Sequence, residues 1–543
     1  MKEFTSILRT PDRVYGATEN SSIRFEEEFS SECPVKYDYI VSSNSAKVIV
    51  YPSGSPVKYL KFRFRGDFSK VTGVLGDKFE RASMLMPIEW KLLLPENRMP
   101  WFFYVKNEKR MACYGVKTGA DCFAYWYLDP KGISLVLNLN TDTRGVDLKE
   151  PLLACEVVEL FGEDGEDAYS VASRFASVMC DNPVLPKTPM FGGNNWYWAY
   201  GDINRDIVLK DADYIKECTD GVKNRPCMVI DDGWQYNRPK MPCGVGGPWE
   251  ANALFGDMSE VADRISERGL NPGLWFRPLL TTEEFCSEMV LKEEFTPGFG
   301  GYILDPSHPA VIEKIYNDTK KIRDWGYTII KHDFTAIDMS GNWNHQIDTP
   351  ITQPNRKMFD NTKTAATIIK NIYKAIQSGA GDGDVIGCNV YGHLSAGIHS
   401  MQRVGGDTSG KTFEITRAQG INSMMRLPLN NKFFLNDPDC PAFTRKVDTK
   451  TNLDFLEMCA LTDCTTIASI TPGILNEKEM KRINEIFKMA DKGNNGYIIK
   501  DFDKTNCPDT IISADKKDQR HYDWYSALDG IRSVYSWDEK IED

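Results

Sequence analysis

Several features that define large classes of proteins are missing from this 543-residue chain. It has no run of about 18 apolar residues, the length that a membrane-spanning helix needs. Residues 1–5 carry no apolar segment of the kind found in a signal peptide. Internal repeats and low-complexity tracts are also missing. We therefore expect a cytoplasmic protein without a membrane partner, although a signal peptide removed earlier would leave no trace.

Basic residues are fewer than acidic residues. The chain has 65 Lys and Arg residues against 77 Asp and Glu residues, which gives a net charge of −12. This balance argues against nucleic acids and anionic membranes as partners, because both attract basic surfaces. Aromatic residues are plentiful, with 12 Trp and 23 Tyr, and their flat rings suit sugar binding. The composition leaves a homo-oligomer open.

The 14 cysteines contain no C-x-x-C pair, and no histidine stands at a metal-ligand spacing from them. Zinc sites and dithiol redox motifs are therefore not expected. We interpret the cysteines as mostly buried free thiols in a reducing compartment. No metal and no organic cofactor is predicted.

Residues 1–185 have the pattern of an antiparallel β-sandwich that ends in a linker. Short apolar or alternating runs are separated by turn residues about every ten positions. The clearest runs are Tyr39–Val41, Ala46–Tyr51, Leu60–Phe64 and Ile133–Leu139. An amphipathic segment at Ala168–Met179 predicts a helix, and the prolines that follow it mark the linker.

From residue 186 to residue 492 the pattern changes to strand, loop and helix, as in a (β/α)8 TIM barrel. The predicted strands are Gly193–Trp196, Met228–Trp234, Gly273–Arg277, Ile329–Asp333, Val385–Asn389, Ser400–Asp407, Phe433–Asp437 and Thr466–Ile470. The predicted helices include Ile207–Cys218, Ala310–Trp325, Thr364–Gln377, Asn452–Leu461 and Glu477–Lys492. Tyr302–Asp305 is an extra strand, and residues 493–543 form a short C-terminal extension.

Polar residues are concentrated at the carboxyl ends of these strands. They are Asp231, Asp232, Lys331, Asp333, Asn389, Arg403, Asp407, Asn436, Asp437 and Asp439. In a barrel such residues converge on one face, which is where barrel enzymes keep their active sites. Several carboxylates and few cations suit glycoside hydrolysis, which needs two carboxyl groups beside the bond. Asp333 and Asp407 lie two β/α units apart and would face each other.

Six motifs in this order resemble the α-galactosidases of glycoside hydrolase clan D, the melibiase group. They are Asp231-Asp232-Gly233-Trp234, Gly273-Leu274-Trp275-Phe276, Leu304-Asp305-Pro306-Ser307-His308-Pro309, Lys331-His332-Asp333, Cys388-Asn389 and Arg403-x-x-x-Asp407. The resemblance covers the predicted barrel from about residue 190 to residue 475. A leading β-sandwich also agrees with the larger members of the clan.

The resemblance implies a role for each matching residue. Asp333 would be the nucleophile, and Asp407 the acid/base. The predicted substrate-binding residues are Asp231, Asp232, Trp275, Lys331, Cys388, Asn389, Arg403 and Trp196. The implied activity is that of a retaining exo-acting α-glycosidase, with α-galactosidase as the first choice. α-N-acetylgalactosaminidase, β-L-arabinopyranosidase and α-galactosyl transglycosylase remain alternatives, as does a catalytically silent sugar-binding barrel. The expected partner is a glycoside or oligosaccharide substrate.

The chain departs from the clan's pattern in three places. Asn436-Asp437-Pro438-Asp439 resembles the simpler animal and plant members more than the large bacterial ones. His332 stands where the clan usually has Trp or Tyr; it should point away from Asp333, because strand neighbours face opposite sides. Arg277 stands where the clan usually has Glu. It could meet an anionic group of the substrate or neutralise a surplus carboxylate such as Asp232 or Asp305.

Structural interpretations compete with the catalytic ones. Asp333 could be a strand-end carboxylate paired with Lys331. Asp407 could be a turn residue, in which case Asp437 would replace it as the acid/base. Trp275 could simply be a core residue, and Cys388 a packed thiol. One of the two aspartates Asp231 and Asp232 is expected to be a turn or cap residue.

Residues 405–412 also satisfy the phosphate-loop pattern G-x-x-x-x-G-K-T. A phosphate loop follows a buried apolar strand and usually opens its domain. Here the preceding segment is mixed, and five predicted β/α units come before it. A nucleotide-binding function would also leave the other strand ends unexplained.

Overall fold

A computed structural model describes residues 4–21, 33–82, 88–93, 97–236, 246–291, 301–343, 346–354 and 356–524. Elements are numbered in chain order. The N-terminal part of the chain is rich in strands, which are followed by one helix. They are β1 (Arg13–Thr18), β2 (Tyr37–Val41), β3 (Ala46–Val50), β4 (Val57–Arg65), β5 (Gly73–Gly76), β6 (Met99–Pro100), β7 (Phe102–Lys106), β8 (Met111–Val116), β9 (Phe123–Asp129), β10 (Gly132–Asn138), β11 (Leu152–Phe161) and α1 (Ala168–Met179).

These strands form two antiparallel sheets in the orders β1-β4-β10-β9-β6 and β2-β3-β11-β8-β7-β5. Strand β4 shows why: Leu60, Phe62 and Phe64 alternate with outward-facing basic residues and are fully buried. Aromatic rings join the two sheets, since Phe103 of β7 lies 5.7 Å from Trp126 of β9. The strands predicted in this region are confirmed.

The next strands lie between residues 191 and 470. They are β12 (Phe191–Asn194), β13 (Cys227–Ile230), β14 (Asn271–Phe276), β15 (Leu280–Thr281), β16 (Tyr302–Ile303), β17 (Ile329–His332), β18 (Asp384–Gly387), β19 (Met401–Arg403), β20 (Leu435–Asp437), β21 (Ala442–Phe443) and β22 (Thr466–Ile470). All except β15 and β16 form one curled parallel sheet in the order β20-β19-β18-β17-β14-β13-β12-β22-β21. The pair β15–β16, which includes the predicted extra strand, stands apart and is antiparallel.

Helices alternate with the parallel strands. They are α2 (Trp196–Ala199), α3 (Arg205–Cys218), α4 (Met258–Glu267), α5 (Pro309–Asp324), α6 (Thr335–Ser340), α7 (Ala365–Ala380), α8 (Gly392–Ser395), α9 (Phe413–Met425), α10 (Thr449–Leu461) and α11 (Glu477–Lys492), with a 3-10 helix at Leu427–Leu429. Side-chain caps fix several starts; Asn476, for example, forms a reciprocal capping box with Glu479 at α11. The predicted helices are confirmed.

The eight predicted strands of this region are all present, but most end earlier than predicted. The predicted strand Ser400–Asp407 contracts to Met401–Arg403, because the chain turns away at Gly405-Gly406 and leaves the sheet. The polar residues at the predicted strand ends mostly follow the last paired residue. They therefore lie at the sheet edge, where their side chains are available for a site.

The end of the chain forms a small antiparallel sheet of β23 (Ile498–Ile499), β24 (Thr510–Ile512) and β25 (Gln519–His521). Among the described residues, no helix is long and apolar enough to cross a membrane. The described cysteines are free, and most of them are buried, as predicted.

Buried charges join the N-terminal sheets to the parallel sheet. Asp77, just after β5, receives a hydrogen bond of 2.5 Å from Arg81 Nε and one of 2.9 Å from Arg426 Nε. Arg426 follows α9. Burial disfavours the charge of Asp77, but the two guanidiniums outweigh burial and lower its pKa to about 2. The ion pairs therefore tie the two parts of the structure together at neutral pH.

Glu80 lies beside this cluster and is 1% exposed. Its Oε1 accepts a hydrogen bond of 2.8 Å from the Ala82 N–H, and its Oε2 has no hydrogen-bond partner among the described residues. Burial raises the pKa of Glu80 to about 8. The carboxyl group is therefore neutral in the folded protein at pH 7.

Glu80 should make the protein less stable as the pH rises. The unfolded chain releases this proton near pH 4.5 and the folded chain near pH 8, so stability falls between these values by up to about 1.4 kcal/mol per pH unit. Glu80→Gln keeps the shape without the titration. We expect its thermal midpoint to fall less between pH 5 and pH 8 than that of the parent. Glu217→Gln, at an exposed site on α3, serves as the control. Parallel curves for the parent and Glu80→Gln would contradict this expectation.

Candidate active site

Asp333 follows β17 at the carboxyl end of the parallel sheet and is held by three N–H groups. Trp275 Nε1 donates to its Oδ2 at 3.1 Å, and the backbone N–H of Phe334 donates to its Oδ1 at 2.7 Å. Asn389 Nδ2 also donates to Oδ1. The carboxylate is 8% exposed. These donors fix its orientation, as attack on a substrate atom requires.

The donors come from neighbouring strand ends. Trp275 lies on β14, beside β17, and its indole is 1% exposed. It is therefore a core residue that reaches Asp333 through its N–H. Asn389 follows β18 and adopts a left-handed backbone with φ 49°, and Phe334 is left-handed as well, with φ 63°. Non-glycine residues rarely adopt this conformation, and it often marks functional sites.

Lys331 pairs with Asp231, and not with Asp333 as the structural interpretation of the K-x-D motif proposed. Its Nζ lies 2.6 Å from Asp231 Oδ2, which also accepts a 2.7 Å hydrogen bond from Asn194 Nδ2. Burial disfavours the ammonium charge, but Asp231 outweighs it and raises the pKa of Lys331 well above its usual range. A buried, charged pair thus links β17, the strand that Asp333 follows, to the end of β13.

Asp231 and Asp232 form a turn at the end of β13. The backbone N–H of Asp232 donates to Asp231 Oδ1 at 3.0 Å, and Gln235 Nε2 donates to Asp232 Oδ1. Asp231 is thus both a turn residue and the partner of Lys331. Trp196 lies close by at the start of α2, where it is half-buried, and its ring centroid lies 5.7 Å from that of Tyr200. Both rings belong to the segment that follows β12, the first strand of the parallel sheet.

Arg403, the last residue of β19, is 1% exposed and contacts three carboxylates. Its NH1 lies 2.9 Å from Asp407 Oδ1, its NH2 lies 2.8 Å from Asp439 Oδ1, and its Nε lies 3.6 Å from Asp437 Oδ2. The charges compensate one another, which a buried guanidinium requires.

The three carboxylates differ in exposure. The Asp407 side chain is 48% exposed, whereas those of Asp437 and Asp439 are 6% and 1% exposed. Asp437 Oδ1 also accepts hydrogen bonds from the Asp439 N–H and from Thr465 Oγ1. Only Asp407, of these three, presents its carboxyl group outward, where a proton can be exchanged. The geometry favours Asp407 over Asp437 as the acid/base.

Cys388 connects the two parts of the site. It follows β18 and is 2% exposed. Burial raises the pKa of its thiol well above the usual range, and the charges of Arg403, Asp333, Lys331 and Asp407 also act on it. The charges of both predicted catalytic carboxylates thus act on one buried thiol. Cys388 is neutral and packed, which agrees with the structural interpretation of this residue.

His332 points away from Asp333, as predicted. Its Nε2 lies 3.4 Å from His399 Nδ1, and its ring centroid lies 5.8 Å from that of Tyr373 on α7. Burial and the neighbouring histidine lower the pKa of His332 well below its usual range. The imidazole is therefore a neutral packing group behind the strand.

Arg277 forms an ion pair with Asp338 of α6; the sequence had suggested Asp232 or Asp305. Its Nε donates to Asp338 Oδ2 at 2.9 Å, and both residues are fully buried. The guanidinium carbon lies 4.2 Å from the centroid of the Phe334 ring. Arg277 thus supports the left-handed residue whose N–H binds Asp333.

The G-x-x-x-x-G-K-T segment is not a phosphate loop. The backbone N–H groups of residues 408–412 all donate within the protein. Their acceptors are Asp439 Oδ2, Thr416 Oγ1, Tyr200 OH and, for the last two, Ser409 Oγ. Lys411 Nζ lies 4.8 Å from the centroid of the Tyr200 ring. A phosphate cradle needs free N–H groups, so the nucleotide interpretation is wrong.

Sequence reasoning missed several residues that build the site. Asn194 and Tyr197 bind Asp231 and Asp439, respectively. Asn194 ends β12 and Tyr197 follows it, and the run of polar and aromatic residues at the end of that strand was the available signal. Asp439 was noted as a strand-end residue without a role. Among the described residues, no group of three His, Cys, Asp or Glu side chains could hold a metal ion.

Comparison of the sequence with known proteins gives short matches to α-galactosidases, although no protein-family model matches the chain. A bifunctional α-galactosidase/sucrose kinase from Mediterraneibacter gnavus is 27% identical over 164 residues, which are 28% of this chain and 16% of that protein. The α-galactosidase Mel36A from Lactobacillus acidophilus is 28% identical over 145 residues, 24% of this chain and 18% of that protein. The match thus spans less than a fifth of either relative.

Comparison of structures gives matches over most of the chain. An α-galactosidase from Thermus thermophilus in complex with p-nitrophenyl α-D-galactopyranoside has a TM-score of 0.60 and 17% identity, over 88% of this chain and 94% of that one. The GH36 α-galactosidase AgaA from Geobacillus stearothermophilus has a TM-score of 0.61 and 13% identity, over 89% of this chain and 71% of that one. Over most of its length the chain has the fold of these GH36 α-galactosidases, and both comparisons agree with the resemblance to the α-galactosidases of clan D.

Proposed function

We propose that the protein is a retaining α-galactosidase that removes terminal α-galactosyl groups by double displacement. The observation that carries this proposal is that two carboxylates with different environments lie beyond the carboxyl ends of two strands of the same parallel sheet. Asp333 is immobilised by three N–H donors, whereas Asp407 is half-exposed and held by Arg403. Retaining glycosidases need one fixed nucleophile and one carboxyl group that exchanges protons.

In the proposed reaction, Asp333 attacks the anomeric carbon while Asp407 donates its proton to the leaving oxygen. Asp407 then takes a proton from water, and the hydroxide displaces Asp333 from the sugar with a second inversion. Net retention follows. The two carboxyl groups should lie roughly 5–6 Å apart for this reaction.

The remaining predicted site residues divide into groups that could bind the sugar and groups that support Asp333. Asp231, Asp232 and Lys331 offer charged acceptors and a donor for sugar hydroxyl groups, and Trp196 offers a ring surface beside them. Asn389 and Cys388 act through Asp333 and the packing beneath it, and Trp275 holds Asp333 through its indole N–H. The Thermus thermophilus relative binds p-nitrophenyl α-D-galactopyranoside and stachyose, which supports a galactosyl substrate here.

We also propose the finer architecture. The parallel sheet would close as a (β/α)8 barrel, since the Thr465 N–H beside β22 donates to Asn436 O of β20 at 3.0 Å. The two N-terminal antiparallel sheets would form a β-sandwich, with domains at residues 1–185, 186–492 and 493–543.

The position of Arg277 bears on the identity of the sugar. Its ion pair with Asp338 accounts for its charge without a substrate anion. An uncharged sugar such as galactose is therefore favoured over a substrate with a negative group.

A panel of nitrophenyl glycosides tests the proposed activity. We expect hydrolysis of the α-galactoside, with α-galactose as the first product seen by NMR, because two inversions restore the configuration. Weaker activity is expected on the N-acetyl-α-galactosaminide and the β-L-arabinopyranoside. A first product of β configuration would contradict the mechanism, and binding without turnover would indicate a silent sugar-binding protein.

Two variants separate the roles of the carboxylates. Asp333→Ala should abolish turnover of every substrate, because the covalent intermediate cannot form. Asp407→Ala should retain the first step for activated aryl galactosides, whose leaving groups depart without a proton, and should lose turnover of raffinose by 10²-fold or more. Because Asp407 is also the base of the second step, kcat should fall on both substrates, and kcat/KM, which reports the first step, measures the difference. Equal losses of kcat/KM on both substrates would instead point to Asp437.

Arg277→Glu should destabilise the protein without changing its substrate ranking. The change places like charges together in a buried site, at a cost of about 3–5 kcal/mol. The double variant Arg277→Met/Asp338→Leu removes both charges and should recover much of the stability, as thermal unfolding would show. A shift of tenfold or more in preference among the three glycosides, about 1.4 kcal/mol, would show that Arg277 meets the substrate.

A further inference from the structure

We propose that Asp439 is a positioning residue that orients Asp407 and sets how readily Asp407 gives up its proton. This inference rests on the proposed acid/base role of Asp407. Nothing in the six motifs assigns a role to Asp439, which lies outside them.

One oxygen of Asp439 holds the backbone beside Asp407. Asp439 Oδ2 accepts a 2.8 Å hydrogen bond from the N–H of Thr408 and a 3.2 Å hydrogen bond from Thr408 Oγ1. Tyr197 OH also donates to this oxygen. Because Thr408 directly follows Asp407, these contacts fix the loop at the residue next to the acid/base.

The other oxygen holds the charge that Asp407 faces. Asp439 Oδ1 lies 2.8 Å from Arg403 NH2, and Arg403 NH1 lies 2.9 Å from Asp407 Oδ1. The two carboxylates thus bind two nitrogens of one guanidinium. Asp439 reaches Asp407 by two routes, through the backbone and through Arg403.

The backbone at Asp439 adopts a strained conformation that keeps its side chain in this position. Asp439 is 1% exposed and has a φ of 73°, a left-handed conformation that is rare for a non-glycine residue. Its own N–H donates to Asp437 Oδ1 at 2.9 Å. Such strain persists only where the surroundings determine it.

Asp439 is buried next to several charged groups. Burial is the largest influence on its carboxyl group and raises its pKa to about 6. At pH 7 it carries a charge that offsets part of the field of Arg403. Among the described residues, the charged and titratable groups that act on it or feel its charge are Arg403, Asp407, Lys331, Asp437, Tyr197, Tyr200, Cys440 and Cys459.

Asp439→Asn is the direct test, because it keeps the shape and removes the charge. Arg403 then acts on Asp407 without compensation, so Asp407 loses its proton at lower pH. We expect the alkaline limb of the kcat/KM profile for raffinose to move at least half a pH unit lower. We also expect kcat/KM, which reports the first step, to fall tenfold or more on raffinose and less than threefold on an activated aryl galactoside.

A double-mutant cycle separates a positioning role from a general structural one. If Asp439 acts through Asp407, adding Asp439→Asn to Asp407→Asn should change the activity less than twofold. Independent losses that multiply, or equal losses on both substrates with an unmoved alkaline limb, would overturn the inference. Should Asp407→Asn itself show no dependence on the leaving group, the proposed role of Asp407 fails instead.

Tyr197→Phe provides a second variant if Asp439→Asn does not fold. It removes one donor to Asp439 Oδ2 and leaves the carboxylate in place. Without this donor, the Asp439 charge is less well stabilised, so the alkaline limb should again move to lower pH, by less than in Asp439→Asn. An alkaline limb identical to that of the parent would overturn the inference.

Discussion

The buried guanidinium of Arg403 is the interaction on which the site depends. It ends a strand of the parallel sheet and is surrounded by Asp407, Asp437 and Asp439. A charge this deep is stable only with good compensation, because burial removes most of its hydration. The same compensation gives the carboxylates different environments. Two are sealed in the interior, and the third, Asp407, reaches the surface of the sheet edge.

The N-terminal sheets reach the same point from the other side. Asp77 binds Arg426, and Arg426 NH1 donates to the carbonyl oxygen of Val404, the residue after Arg403, at 2.8 Å. The leading part of the chain thus supports the strand end that carries the guanidinium. On the opposite side of the site, Arg277 and Asp338 support Phe334 beneath Asp333. Each predicted catalytic carboxylate is therefore supported by a buried ion pair without a catalytic role of its own. The pair is Asp77–Arg426 on the side of Asp407 and Arg277–Asp338 on the side of Asp333.

Much of the fold follows from sequence pattern alone, because a buried parallel strand is a short apolar run that ends in polar residues. All eight strands of the parallel sheet that were predicted are present, and Asp333 directly follows one of them, whereas Asp407 lies in the loop beyond the shortened strand β19. Pairings over long distances could not be found. Lys331 meets Asp231 from 100 residues away, and Arg277 meets Asp338 through a helix whose direction no motif encodes. The high pKa of Glu80 could not be predicted either, because it arises from burial by distant parts of the chain and no motif marks the residue.

The most direct test of the account is to trap the covalent intermediate with a fluorinated α-galactosyl fluoride and to map the label by peptide mass spectrometry. A fluorine substituent slows the second step more than the first when the leaving group is good, so the glycosyl-enzyme accumulates. The account predicts one fluorogalactosyl label, on the peptide that contains Asp333, and no label in Asp333→Ala. A label on Asp407 or another residue, or rapid turnover to the β anomer of the fluorinated galactose with no labelled peptide, would contradict it.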